Sequence, residues 1–132
     1  MGTVGYLLDT HTFLWWVQNG PKLSGNARDL ITGENCYLSI ASCWELAIKV
    51  ASERIQFDRP IAQFLAEELI ANTISLLPVE FRYVMRVSSL PLHHRDPFDR
   101  LLIAQALEEN QAIVSIDRSF DAYGIERVVS LS

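Results

Sequence analysis

Cysteine is scarce in this chain: its 132 residues hold two, Cys36 and Cys43, without the Cys-x-x-Cys spacing of a zinc or redox site. Both have apolar neighbours and are expected to be reduced core residues, which excludes a disulfide scaffold. Long hydrophobic runs are missing too, and none approaches the roughly 20 residues that span a bilayer. The apolar stretch from Tyr6 to Val17 is interrupted by Asp9 and His11 and has no basic leader, so neither a signal peptide nor an anchor is expected. A cytoplasmic location is expected. An excess of positive charge is also lacking, since 11 Lys and Arg face 16 Asp and Glu for a net charge of -5. That excludes a surface coated with cations for non-specific nucleic-acid binding. It does not exclude a site where acids converge on divalent cations, because the local charge is then offset. There is no internal repeat, linker or low-complexity stretch.

What is present is a chain that is 49% apolar and 20% charged, the balance of a globular protein with a sizeable core. Its length suits one domain over residues 1–132. Gly5-Tyr6-Leu7-Leu8 reads as a buried strand ending at Asp9. Thr10 to Val17 reads as a helix closed by Asn19-Gly20-Pro21, and Ser24 as the cap of a second helix through Ile31. Cys36-Tyr37-Leu38 is a brief strand. Ser42 followed three residues later by Glu45 has the form of a capping box, placing a helix start there. Ile61, Phe64, Leu65 and Leu69 form one face of a helix after Pro60, before a strand at Ile74 to Leu77 and a helix from Glu80 to Val87. Asp96-Pro97-Phe98-Asp99 supplies a capping acid, a proline at the first helical position and a second acid in the first turn. Ala112 to Ile116 is a β-rich run ending at Asp117, and a last strand is expected near Val128 and Val129. Short apolar strands alternating with helices predict a mainly parallel central sheet covered on both faces, a three-layer α/β/α domain.

In such sheets ligands bind beyond the carboxyl ends of the strands. Asp9 and Asp117 follow apolar strands, and Glu45 and Asp99 fall in the first turns of helices that open toward the same edge. Each acid alone has an ordinary explanation as a cap or turn former. Four at one edge are different, because crowded carboxylates repel and raise one another's pKa unless a cation neutralises them. An all-oxygen set suits hard cations such as Mg²⁺ or Mn²⁺, which can activate water against a phosphodiester without a covalent nucleophile.

The strand and acid Tyr6-Leu7-Leu8-Asp9-Thr10, the segment Ser42-x-Trp44-Glu45-Leu46, the run Asp96-Pro97-Phe98-Asp99-Arg100 through Ala106, and the ending Ser115-x-Asp117-x-x-Phe120 together resemble a PIN domain. The resemblance is to the VapC-type toxins of bacterial toxin-antitoxin pairs and covers essentially the whole chain. It implies a PIN-like α/β/α fold and Mg²⁺- or Mn²⁺-dependent endonucleolytic cleavage of RNA, leaving a 5′-phosphate and a 3′-hydroxyl. By position, Asp9, Glu45, Asp99 and Asp117 would be the catalytic and metal-holding quartet. Thr10 and Ser115 would hold metal waters or neighbouring carboxylates. Asp96 stands between capping its helix, the favoured reading, and lining the metal site, and Asp117 has room to act through a water. A small VapB-like antitoxin is the implied partner, its C-terminal arm over the acidic cleft. A homodimer is implied as well, with the 61–70 segment and the tryptophan-bearing first helix as available surface.

Other residues invite weaker roles. Arg95 and Arg100, and more remotely Lys49 and Arg54, are candidates for phosphate contacts at the cleft rim. His11, His93 and His94 could shuttle protons or bind a transition metal, but loop histidines are more often hydrogen-bonding surface residues. Trp15, Trp16 and Trp44 could stack on bases, and their apolar neighbours favour core or subunit-interface packing. Three competing readings remain. A receiver-like domain expects paired acids at the first strand and a lysine after the last, and no lysine follows Lys49. A phosphatase of the haloacid-dehalogenase type expects an aspartate where His11 stands. A catalytically silent PIN-like binding module is countered by the intact acids.

Overall fold

The computed structural model describes residues 5–93 and 96–128. Strands β1 (Gly5–Leu8), β2 (Cys36–Ser39), β3 (Ser75–Leu77), β4 (Gln111–Val114) and β5 (Arg127–Val128) form one sheet in the order β3-β2-β1-β4-β5. All four pairings are parallel, with Leu8 registered against Leu38 on one side and Val114 on the other. The expected Val129 lies outside the described residues.

Period-two alternation decides which side chain enters which layer. Leu8, Leu38 and Val114 join a core with Phe13, Leu14, Ala27, Ile31, Leu46, Phe64 and Leu69. These come from α1 (Thr10–Val17), α2 (Gly25–Gly33), α3 (Ile40–Ala51) and α4 (Ile61–Ala71). The neighbouring Leu7 and Ile113 point the other way, into a second core with Tyr83, Leu102, Ile103, Ala106 and Phe120. Those belong to α5 (Phe81–Val87), α6 (Pro97–Glu109) and a 3₁₀ helix over Arg118–Tyr123. Leu7, Leu8, Leu38 and Val114 are all fully buried; burying one such side chain contributes about 1.5–3 kcal/mol. The result is the expected three-layer α/β/α arrangement.

Helix ends follow local chemistry. Asp9 caps α1 through Thr12 N at 2.8 Å, Ser24 caps α2 through Ala27 N at 3.1 Å, and Asp96 caps α6 through Phe98 N at 2.8 Å. The start of α3 differs from expectation. Its cap is Ser39, which accepts from Ala41 N at 3.0 Å, so Ser42 lies inside the helix and Glu45 in its second turn. The strand β2 runs on to Ser39, and the helix begins at the next residue. Strand β4 also stops earlier than expected, at Val114, so a short turn carries the chain to Asp117. Cys36 is buried and Cys43 half-buried, both as free thiols; burial pushes the Cys36 thiol up to about 11, which keeps it unreactive. No helix among the described residues is long and apolar enough to cross a membrane.

Strand order fixes where a ligand can sit. The chain moves from β1 outward through β2 to β3, then returns to the other flank of β1 for β4 and β5. The order therefore reverses between β1 and β4, and the crossovers part there to leave a crevice at the carboxyl ends.

Candidate active site

A cleft of about 420 Å³ opens at that reversal, lined by Asp9, Thr10, His11, Glu45, Asp96, Asp99, Ile116, Asp117, Arg118 and Phe120. Asp9 leaves the end of β1 and Asp117 follows β4, while Glu45 projects from α3 and Asp96 and Asp99 from the start of α6. All four acids of the expected quartet and Asp96 thus meet in one crevice.

One wall is tightly held. Asp9 is nearly buried; its Oδ1 accepts from Thr12 N and its Oδ2 accepts a short hydrogen bond from the Ser115 hydroxyl. Ser115 Oγ in turn accepts from Asp117 N at 3.0 Å, so one buried hydroxyl ties the two strand-end acids together. The Thr10 hydroxyl lies 2.7 Å from Glu45 Oε1 and 2.9 Å from Ser42 Oγ. It has one proton, best given to the carboxylate, and can accept from Ser42. Lys49 Nζ stands 3.4 Å from Glu45 Oε2.

The opposite wall is less satisfied. Asp96 Oδ1 is occupied by the helix start, accepting from Phe98 N and Asp99 N at 2.8 and 3.3 Å, yet the residue also lines the cleft; both readings of Asp96 describe its position. The Asp99 carboxyl is pushed up to about 7, first by burial, then by the charges of Asp96, Asp117, Glu45 and Asp9. Asp117 Oδ1 accepts from Ser119 N at 3.0 Å and from the Ser119 hydroxyl, capping the 3₁₀ turn.

Among the described residues, no three His, Cys, Asp or Glu side chains converge tightly enough to grip an ion as they stand. The donor set still fits a hard divalent cation, for it is all oxygen, and Mg²⁺ keeps several waters that can bridge to carboxylates not in direct contact. Burial first, and then the charges of the neighbouring acids, disfavour the ionised form of Asp99, and a cation among these carboxylates would favour it.

The remaining expectations fall elsewhere. Arg100 Nη2 donates to the carbonyls of Val87 and Leu90 at 3.0 and 3.4 Å, and Nη1 to Pro91 O at 3.1 Å, so it ties down the turn before α6. Arg95 and His94 lie outside the described residues. His93 meets Tyr123 edge-on at 5.1 Å and donates its backbone N–H to the Tyr123 hydroxyl, away from the cleft lining. Arg54 donates to Ser52 and does not line the cleft. Trp15 and Trp16 pack against the larger core, and Trp16 Nε1 donates to Asn72 Oδ1 at 2.8 Å. Trp44 is not a core residue: it is 61% exposed. Sequence reasoning missed Arg118, which with His11 supplies the cationic or ionisable nitrogen lining the cleft; its place one residue after Asp117 was the available signal.

The family model for the PIN domain matches residues 6–126. Ribonuclease VapC22 of Mycobacterium tuberculosis (strain ATCC 25618 / H37Rv) is 33% identical over 130 residues, covering 95% of this chain and 96% of that protein. Among solved structures, VapBC2 from Rickettsia felis bound to a DNA fragment from their promoter is similar, with a TM-score of 0.71 and 14% identity over 96% of this chain and 98% of that one. FitAcB from Neisseria gonorrhoeae superposes with a TM-score of 0.68 and 18% identity over 94% and 96%. At such identities the structural likeness speaks to the fold alone.

Proposed function

Because this chain belongs to the PIN domain family, we propose that it is an endoribonuclease, the toxin of a VapBC-like toxin-antitoxin pair, that hydrolyses RNA with Mg²⁺ or Mn²⁺. The observation that carries the proposal is the convergence of Asp9, Glu45, Asp96, Asp99 and Asp117 in one cleft, where burial first and then the neighbouring acids push the Asp99 carboxyl up. Asp9, Glu45, Asp99 and Asp117 would hold the cation, with Asp96 at the margin. When bound, a divalent ion supplies positive charge against a phosphodiester and acidity to water.

The side chains account for the rest. Ser115 and Thr10 fix the carboxylates of Asp9 and Glu45, and an oriented ligand is what keeps metal affinity high. Ser115 is fully buried and Thr10 nearly so, which suits both to orienting carboxylates and leaves the attack to water. Attack on phosphorus breaks the P–O3′ bond, leaving a 5′-phosphate on one fragment and a 3′-hydroxyl on the other. Arg118 and His11 are placed to approach the flanking phosphates.

Kinship with Ribonuclease VapC22 supports a small VapB-like antitoxin as partner, its arm covering this cleft in the cytoplasm. Exposed Ile70, Leu76 and Phe81 supply surface for a homodimer, along with the half-buried tryptophans of α1. Purified protein should cut structured RNAs with Mg²⁺ or Mn²⁺, stop in EDTA, and leave 5′-phosphate ends; Asp9→Asn and Asp99→Asn should be silent. Equal cutting by wild type and both variants would overturn the proposal. Growth arrest on expression, relieved by the small reading frame beside its gene, checks the antitoxin.

A further inference from the structure

Trp44 has no structural task equal to its size. It precedes Glu45 on α3 and is 61% exposed, whereas the other two tryptophans are packed against the core. Among the described residues its one aromatic neighbour is Phe98, at 5.0 Å between ring centroids and 73° between planes. Phe98 stands between Asp96 and Asp99. The pair therefore bridges α3 and the start of α6, within two residues of three cleft carboxylates. An edge contact at that angle restrains the indole without covering both of its faces.

The charge of the cleft says what such a ring is for. Among the described residues five acids line it, against Arg118 and His11; Lys49 is paired with Glu45 and Arg100 donates to backbone carbonyls. A polyanion gains little from phosphate contacts here, even with a cation in place, and needs a neutral source of affinity. Base stacking on an aromatic side chain is such a source: it is indifferent to sequence and worth about a factor of ten in affinity.

We propose that Trp44, propped by Phe98, is a stacking platform for an unpaired RNA base next to the scissile phosphate. The proposal rests on the ribonuclease reading above and adds to it the side chain that positions the substrate. Trp44 positions substrate and takes no part in bond breaking.

The test is steady-state cleavage of a single-stranded RNA with Mg²⁺ by wild type, Trp44→Ala, Trp44→Phe and Trp44→Leu. Binding of a 2-aminopurine-labelled copy of the same RNA is followed alongside, by fluorescence in the Asp99→Asn background. Trp44→Ala should raise KM and the dissociation constant roughly tenfold with kcat nearly kept, Trp44→Phe should recover most of the loss, and Trp44→Leu should not. Binding to the parent should fall off shallowly with salt, because few phosphates are neutralised by side chains. An unchanged KM in Trp44→Ala overturns the platform while leaving the nuclease intact. Recovery by Trp44→Leu also overturns it, pointing to an apolar protein contact instead. No cleavage by wild type would strike at the ribonuclease reading, and the fluorescence titration would still report on stacking.

Discussion

The two walls of the cleft carry the same functional group in opposite states. Asp9 and Glu45 are restrained by a backbone N–H, two hydroxyls and a lysine. Among the described residues, Asp99 has no hydrogen bond to its carboxylate, and burial and four neighbouring acids push it up to about 7. One wall is arranged by the fold itself; the other stores unfavourable charge that a cation would relieve. The difference teaches that the two kinds of carboxylate should part company in stability measurements while agreeing in activity.

The largest effect should come from removing one acid from each wall. Asp9→Ala and Asp99→Asn should both lower RNA cleavage on the order of 10³-fold, the scale of losing one electrostatic group from a reaction centre. In EDTA their unfolding should diverge. Asp9→Ala removes the α1 cap and orphans the buried Ser115 hydroxyl, costing on the order of 2 kcal/mol. Asp99→Asn removes a repelled charge and should raise the denaturation midpoint. Adding Mg²⁺ should stabilise wild type, by about 2.7 kcal/mol at a hundredfold excess over its dissociation constant, and should stabilise Asp99→Asn much less. If both variants shifted stability in the same direction, the contrast between the walls would be lost.

A smaller effect sharpens the same contrast from within the held wall. Thr10→Val keeps the shape of the side chain but takes away the donor to Glu45 and the partner of Ser42. Activity should fall about 10–100-fold, as when a partner that orients a ligand is removed. The loss should appear as weaker activation by Mg²⁺, read as a higher metal concentration for half-maximal rate. An unchanged metal requirement would mean that Thr10 does not orient Glu45.

The contrast between the walls was only partly legible in the sequence. Strand-end acids and the Asp96-Pro97-Phe98-Asp99 helix start are local signals, and they placed the fold and the cleft. The Ser42 to Glu45 spacing misled, because it has the form of a capping box while the strand residue Ser39 does the capping. Hydrogen bonds such as Ser115 to Asp9 join residues 106 positions apart, and no local pattern encodes them. Arg100 shows the converse: nearness in sequence to an acid suggested a phosphate contact, but its guanidinium satisfies carbonyls of the preceding turn. The exposure of Trp44 was equally hidden, since apolar neighbours along a helix do not reveal which face stays open.

Proton binding offers a third measurement. The Asp99 pKa rises from an ordinary 3.8 to about 7 on folding, so between those values the folded protein holds a proton that the unfolded chain has released. Linkage then makes the metal-free fold less stable as pH climbs through that window, with the favourable contribution fully lost above it. Melting in EDTA should show a midpoint that declines from about pH 4 to about pH 7, on top of other titrations. The decline should be shallower in Asp99→Asn. A profile identical in both proteins would mean that the charge on this wall is relieved by other means.

The smallest expected effect belongs to Lys49. Its ammonium is 3.4 Å from Glu45 at the i,i+4 spacing, with both side chains partly exposed. Such helix pairs contribute about 0.3–0.5 kcal/mol. Thr10 already donates to the other oxygen of Glu45, so Lys49→Met should leave the carboxylate in place. Cleavage should change by less than about threefold, because the exposed pair offers only a few tenths of a kcal/mol to lose. A loss as large as that of Thr10→Val would reverse the assignment, making the ion pair rather than the hydroxyl the element that fixes this wall.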